Sequence, residues 1–161
     1  MKVVVCLILM EPTRATTERT TVLVVDDSPA MLRYLKLLLE TDSYRVETAG
    51  NGEEALLRLR QGCTPAVVLL DLQMPGMDGL KTLRQLRKLR PGLKVIICSG
   101  VDDPRQVRRA SRMGAYSYLT KPVHHLYLSA ALERCLKEAS AGEAEPAALA
   151  KLVTLPAARW H

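Results

Sequence analysis

Four apolar runs each end in a residue able to do chemistry. Asp26-Asp27 close Thr21-Val22-Leu23-Val24-Val25, and Asp71 closes Ala66-Val67-Val68-Leu69-Leu70. Ser99 closes Lys94-Val95-Ile96-Ile97-Cys98, and Lys121 closes Tyr116-Ser117-Tyr118-Leu119-Thr120. A carboxylate at the mouth of a buried strand is costly unless it is paired or binds something. Carboxylates brought together repel and require a cation, and oxygen ligands alone favour Mg²⁺ or a similarly hard ion. An aspartate beside such an ion can act as a nucleophile toward phosphorus. Catalysis of phosphoryl transfer is then mostly positioning and charge neutralisation. In this reading Mg²⁺ bridges Asp71, Asp27 and a phosphoryl oxygen. Ser99 donates to a second oxygen, and Lys121 neutralises a third or pairs with Asp71 beforehand. A salt-bridge cluster capping strand ends explains one acid and one lysine, but explains poorly why five groups share one rim.

The elements that must position these groups follow from apolar spacing. Residues 21–137 alternate strand and helix five times. The first helix starts at Ser28, an N-cap followed by Pro29, and carries the stripe Met31, Leu32, Leu35, Leu38, Leu39. The second runs from Glu53 to Arg60 with Ala55, Leu56 and Leu59 inward and stops before Gly62. The third follows Gly79 with Leu80, Leu83 and Leu86, ending before Pro91-Gly92. The fourth spans Pro104 to Met113 and is closed by Gly114. The fifth runs from His124 to Lys137 with Leu128, Ala131, Leu132 and Cys135 on one side. Strands one, three and four are continuous apolar runs, as expected when helices cover both faces. Strand two, Tyr44 to Thr48, alternates apolar and polar residues, and strand five partly alternates, so both belong at edges. Two edges and three central strands fit the doubly wound α/β order 2-1-3-4-5. Ligands bind such sheets outside the carboxyl ends at the switch point, here between strands one and three. Asp26, Asp27 and Asp71 meet there.

Residues 21–137 resemble the receiver domain of bacterial two-component response regulators. The resemblance is carried by Asp26-Asp27, Asp71, Met74-Pro75-Gly76-Met77-Asp78-Gly79, Ser99-Gly100, Tyr118 and Lys121-Pro122, in that order and at matching separations across the whole domain. It implies a flavodoxin-like (βα)5 three-layer sandwich. It implies Asp71 as phosphoacceptor, Asp27 as direct Mg²⁺ ligand, Asp26 acting through a metal-bound water, and the Gln73 backbone carbonyl completing the protein ligands. Ser99 and Tyr118 correspond to a switch pair and Lys121 to the phosphate contact. The resemblance also implies a cis bond before Pro122, in keeping with the confinement of cis bonds to X-Pro steps. The implied partners are a histidine kinase or histidine phosphotransfer protein, a downstream protein target, and a homodimer formed on phosphorylation. The implied compartment is the cytoplasm. Receivers promote their own phosphorylation and dephosphorylation and are not enzymes in the ordinary sense. Two positions depart from the family pattern. Ser99 replaces the commoner Thr, keeping the hydroxyl while freeing its rotamer, and Gly100 replaces Ala, loosening the loop before the fourth helix.

Composition fits one soluble globular domain: 161 residues, 48% apolar, 25% charged, net charge +6. Basic charge alone is weak evidence for an acidic partner. Cys6, Cys63, Cys98 and Cys135 lack metal or disulfide spacing and read as reduced packing residues. His124-His125 read as solvent-facing at a helix start. No run approaches the ~18 apolar residues of a membrane span. Lys2 and the apolar stretch Val3–Met10 have the outline of a signal-peptide core, but Glu11-Pro12-Thr13-Arg14 follow without a small-residue cleavage site. We expect residues 1–20 to be a loose extension, or to reflect a start assigned too early, with Met10 as another start. Residues 138–161, rich in Ala and Glu, are expected to form a tail with a loose helix around Ala147–Val153 and no output domain. Arg105, Arg108, Arg109 and Arg112 form one helical stripe. It reads first as a solvated face, then as a docking site for an acidic partner, and last as a nucleic-acid contact, because no DNA-binding module accompanies it. Two alternatives to the phosphoacceptor remain. One is an interaction module of this fold that no longer accepts phosphate, against which the intact acids, hydroxyl and lysine argue. The other is a Mg²⁺ phosphohydrolase, against which the adjacent acid pair and the missing D-x-D motif argue.

Overall fold

The computed structural model describes residues 19–100 and 103–140. Within them β1 (Thr21–Val25), α1 (Pro29–Thr41), β2 (Arg45–Ala49), α2 (Gly52–Arg60) and β3 (Val67–Leu70) are followed by α3 (Gly79–Leu89), β4 (Lys94–Ser99), α4 (Pro104–Arg112), β5 (Ser117–Thr120) and α5 (His125–Ser140). All strand pairs are parallel and the order is β2-β1-β3-β4-β5, as the strand patterns predict.

Alternation along the central strands splits the core into two layers, because successive side chains point to opposite faces. Leu23, Val25, Val68, Leu70, Val95 and Ile97 meet α2, α3 and α4 through Ala55, Leu56, Leu59, Leu80, Leu83, Leu86 and Ala110. Val22, Val24, Val67, Leu69, Ile96 and Cys98 meet α1 and α5 through Leu35, Leu39, Leu128, Leu132 and Cys135. Every residue of β3 is buried, whereas β2 and β5 each expose a terminal residue. Burial pushes the Cys98 and Cys135 thiols up to about 12, so both act as apolar filler. Cys63 is half-buried.

Local signals set the helix starts. The Ser28 hydroxyl accepts from the Met31 amide at 3.3 Å, and Pro29 follows as first helical residue. Asn51 caps α2 by accepting from the Glu54 amide at 2.8 Å. The boundaries differ modestly from expectation. β2 opens at Arg45 rather than Tyr44, β3 at Val67 beyond an exposed Ala66, and β5 at Ser117. α5 continues three residues past Lys137, because Glu138 and Ala139 extend its exposed side without needing core. Of the α1 stripe, Leu35 and Leu39 are buried while Met31, Leu32 and Leu38 are half-buried. The anticipated helix around Ala147–Val153, Cys6 and the Val3–Met10 stretch lie outside the described residues.

α5 is tied to α1 by polar contacts that no local pattern reveals. Tyr34 donates to the Val123 carbonyl at 3.1 Å. Asp42, at the C-terminal cap of α1, meets His125 Nε2 and the Ser129 hydroxyl, each at 2.8 Å. The Ser129 hydrogen bond, with His125 adding to it against a burial cost, holds the Asp42 carboxyl below its ordinary value. His125 is thus exposed yet engaged.

Candidate functional site

Asp26, Asp71 and Lys121 each stand one step beyond a strand with the amide still in the ladder, and Ser99 is the last residue of β4. The Asp26 amide donates to the Ala49 carbonyl at 3.1 Å and the Asp71 amide to the Val25 carbonyl at 2.9 Å. The Lys121 amide donates to the Ser99 carbonyl at 2.8 Å. Parallel register therefore delivers all four strand ends to one rim.

The side chains converge on a lysine. Lys121 Nζ lies 2.7 Å from Asp26 Oδ2 and 2.8 Å from Asp71 Oδ2. The other carboxylate oxygens accept backbone amides: Asp26 Oδ1 from Ser28 at 2.9 Å and Asp71 Oδ1 from Gln73 at 3.0 Å. Asp26 and Asp71 are buried at 2% and 3% exposure, and the lysine together with the two amide donors offsets the cost of burying two such carboxylates. Burial works against the Lys121 ammonium, but hydrogen bonds to Asp26 and then Asp71 outweigh it and hold its pKa above the ordinary value. The anticipated Lys121–Asp71 pair is present, and Asp26 joins it as a third member.

Asp27 is exposed beside them, and carboxylate oxygens of Asp26, Asp27 and Asp71 lie within 4.8 Å of one another. The donor set is all oxygen and carries three negative charges against one ammonium, which suits a hard divalent ion. Ser99 is fully buried at the end of β4, opposite Thr120. Tyr118 sits one layer deeper, opposite Ile97, half-buried against the core layer under α2, α3 and α4. The Lys121–Pro122 bond is cis. Arg105, Arg108, Arg109 and Arg112 are all exposed on α4 and do not join the carboxylates.

The loop after Asp71 needs its glycines for two different reasons. Gly76 adopts φ +84°, a conformation that other residues rarely take. Gly79 starts α3 directly against Asp71, and a Cβ there would run into the Asp71 carbonyl and the Leu72 Cα. Asp78 caps the helix by accepting from the Leu80 amide at 3.1 Å. Gly100 lies under the Gln73 side chain, whose Oε1 would be 3.2 Å from any added Cβ. Sequence reasoning quoted Gly79 without its purpose and overlooked Ser28 as an Asp26 partner. An Asp-Gly step at a helix start was the available signal for the first; the second uses a backbone amide that no side chain advertises.

The sequence profile of the response regulator receiver domain matches residues 22–133. The chain belongs to this family. Receivers of this kind are modules of two-component signalling. The receiver is 32% identical to the chemotaxis protein CheY of Thermotoga maritima over 117 residues, 72% of this chain and 97% of that protein. It is 35% identical to the transcriptional regulatory protein GlrR of Escherichia coli over 118 residues, 73% of this chain but 26% of that protein. The chain thus spans about a quarter of the length of GlrR and under half of the probable transcriptional regulatory protein TcrX of Mycobacterium tuberculosis, at 46%. In structure the receiver resembles a response regulator receiver domain protein from Clostridium thermocellum, with a TM-score of 0.72 and 34% identity, covering 76% of this chain and 98% of that one. Among the described residues no helix is long and apolar enough to cross a membrane.

Proposed function

We propose that this receiver is a working phosphoacceptor, with residues 21–137 as the functional unit, acting in the cytoplasm. The observation that carries the reading is the Asp26–Lys121–Asp71 bridge with Asp27 exposed beside it. Asp71 Oδ attacks the phosphorus of a phosphohistidine. A P–O bond forms, the P–N bond breaks, and the departing imidazole nitrogen takes up a proton. The donor is a histidine kinase or histidine phosphotransfer protein. Asp26, Asp27, Asp71 and the Gln73 backbone carbonyl would hold Mg²⁺, Asp27 directly and Asp26 through water. The ion, when bound, neutralises charge on the phosphoryl oxygens. Lys121, already placed 2.8 Å from Asp71, moves its ammonium onto a phosphoryl oxygen, and the Ser99 hydroxyl donates to another. Turnover by the chain itself is confined to forming and losing this one acyl phosphate.

The output runs through Ser99 and Tyr118. Drawing Ser99 toward the phosphoryl group leaves space into which the Tyr118 ring turns, changing the face made by α4, β5 and α5. The phosphoryl group biases this two-state shift only by its preference for one state. The changed face recruits a protein target or a second copy of the chain.

Intact mass after incubation with acetyl phosphate and Mg²⁺ tests the reading. One phosphoryl adduct is expected, absent in Asp71→Asn and absent with EDTA. No adduct, with a histidine phosphodonor failing as well, would leave a phosphate-independent interaction module. Ser99→Ala is expected to keep the adduct and lose the shift in Tyr118 ring resonances by NMR; an unchanged shift would sink the coupling.

A further inference from the structure

Charge is distributed unevenly along this chain. Of its 23 Lys and Arg residues, eleven fall between 79 and 121, against two of its 17 acids, Asp102 and Asp103. Neither α3 nor α4 contains an acidic residue. The two helices follow β3 and β4, adjacent strands, onto the same face of the sheet. They lie close enough that the Arg87 guanidinium of α3 would meet a Cβ added to Gly114, just past α4. Arg87 itself is committed, donating to the Leu93 carbonyl at 3.1 Å.

Seven other cations remain outside. On α3, Thr82 meets Gly52 of α2 while Leu83 and Leu86 face the core, and helical spacing turns Lys81, Arg84 and Lys88 outward. On α4, with Ala110 buried, the same spacing turns Arg105, Arg108 and Arg112 away from the core, with Arg109 alongside them. All seven are exposed. Among the described residues none of the seven forms an ion pair, although Lys36, Arg45, Arg58, Lys121 and Lys137 all do. The arrangement is unfavourable for the isolated protein. Like charges three and four apart repel on a helix, and Arg105 sits in the first turn, at the positive end of the helix dipole.

We infer that the groove between α3 and α4 docks an acidic helical segment of a partner protein. Cations on each helix repeat about every 5–6 Å, and the two rows lie on helices that cover the same face of the sheet. A helix with carboxylates at i, i+3, i+4 and i+7 presents the same repeat to both rows. Nucleic acid fits less well: among the described residues this face offers no exposed aromatic for base stacking. The inference stands on charge and placement, not on phosphoryl transfer.

The test uses the full chain and a fluorescent 18-residue helical peptide carrying Glu at those spacings, with a duplex DNA of matched charge as comparison. We expect peptide affinity to fall steeply with salt. Arg84→Glu/Arg109→Glu should weaken it by roughly tenfold, the product of several modest exposed pairs. Lys36→Glu/Arg60→Glu, an equal charge change elsewhere, should alter it by less than about twofold. Equal losses from both double variants, tighter binding of the duplex, or no peptide binding at all would each overturn the inference. So would a loss produced by Arg109→Glu but not by Arg84→Glu, since the groove requires both helices. Circular dichroism confirms that each variant is folded, so that a lost affinity reads on the surface.

Discussion

α2 and α4 are both nine residues long, and both begin with a side-chain cap, yet they are held in different ways. α2 buries Gly52, Ala55, Leu56 and Leu59, whereas α4 buries Ala110 alone. α2 has Glu53 and Glu54 in its first turn and Arg58 and Arg60 in its last, matching the helix dipole at both ends. α4 has no acid in its first turn and only arginines along its outer face. A helix held by apolar contact and matched charge is a fixed wall. A helix held by little apolar contact, with charge matched to the dipole only at its C-terminal end, is expected toward the low-stability end of the fold, where moving and docking elements are found. The receiver thus has a densely anchored flank at α2 and a sparsely anchored flank at α4.

The comparison breaks most readily in the core. Leu56→Ala should cost about 2–5 kcal/mol, because the buried site cannot collapse around the lost methyls. Val107→Ala on the half-buried side of α4 should cost about 1 kcal/mol or less. Equal costs in urea denaturation would end the distinction. A sharper test is Gly52→Ala. Glycine to alanine normally favours a helix, but here the new methyl meets the Thr82 hydroxyl on a fully buried, β-branched side chain. We expect a loss of ~1–3 kcal/mol from overpacking, and a rise in Tm would show that α2 and α3 can part.

The smallest effect concerns pH. The Gly50 amide, then Arg58, hold the Glu54 carboxyl below its ordinary 4.5, against a burial cost. A depressed carboxylate stabilises the folded state above the unfolded value and loses that contribution as pH falls through the lower folded one. Stability should therefore decline below about pH 4.5 by more in the parent than in Glu54→Gln. The difference is small, because the side chain is 38% exposed and solvent screens it. Identical acid limbs for parent and Glu54→Gln would remove α2's electrostatic advantage.

Fold and site were legible to different depths. The contrast between the continuous run Val67–Leu70 and the alternating Arg45–Ala49 is itself a burial pattern, so strand order could be read from it. Asp71 and Lys121 were legible because strand ends in a parallel sheet share a rim. The bridge from Lys121 to Asp26 was not, since it joins residues 95 apart by a distance that no local spacing encodes. The Asp42–His125 contact, 83 residues apart, escaped for the same reason and left His125 looking merely solvated. Gly79 was visible as a letter but not as a clearance, because the Asp71 carbonyl it admits appears only once α3 is docked.

The amides of Asp26, Asp71 and Lys121 each donate to a carbonyl of the neighbouring strand. The reactive groups are therefore grafted onto the least yielding part of the backbone rather than onto a loop. In hydrogen–deuterium exchange these three protons are expected in the slow core set, opening only with the sheet itself. Any adaptation of the site has to come from torsions of its side chains and from the loop after Leu72. The price is paid in mutational tolerance: a one-residue slip in β3 would turn the carboxylate to the other face and remove it from the rim altogether.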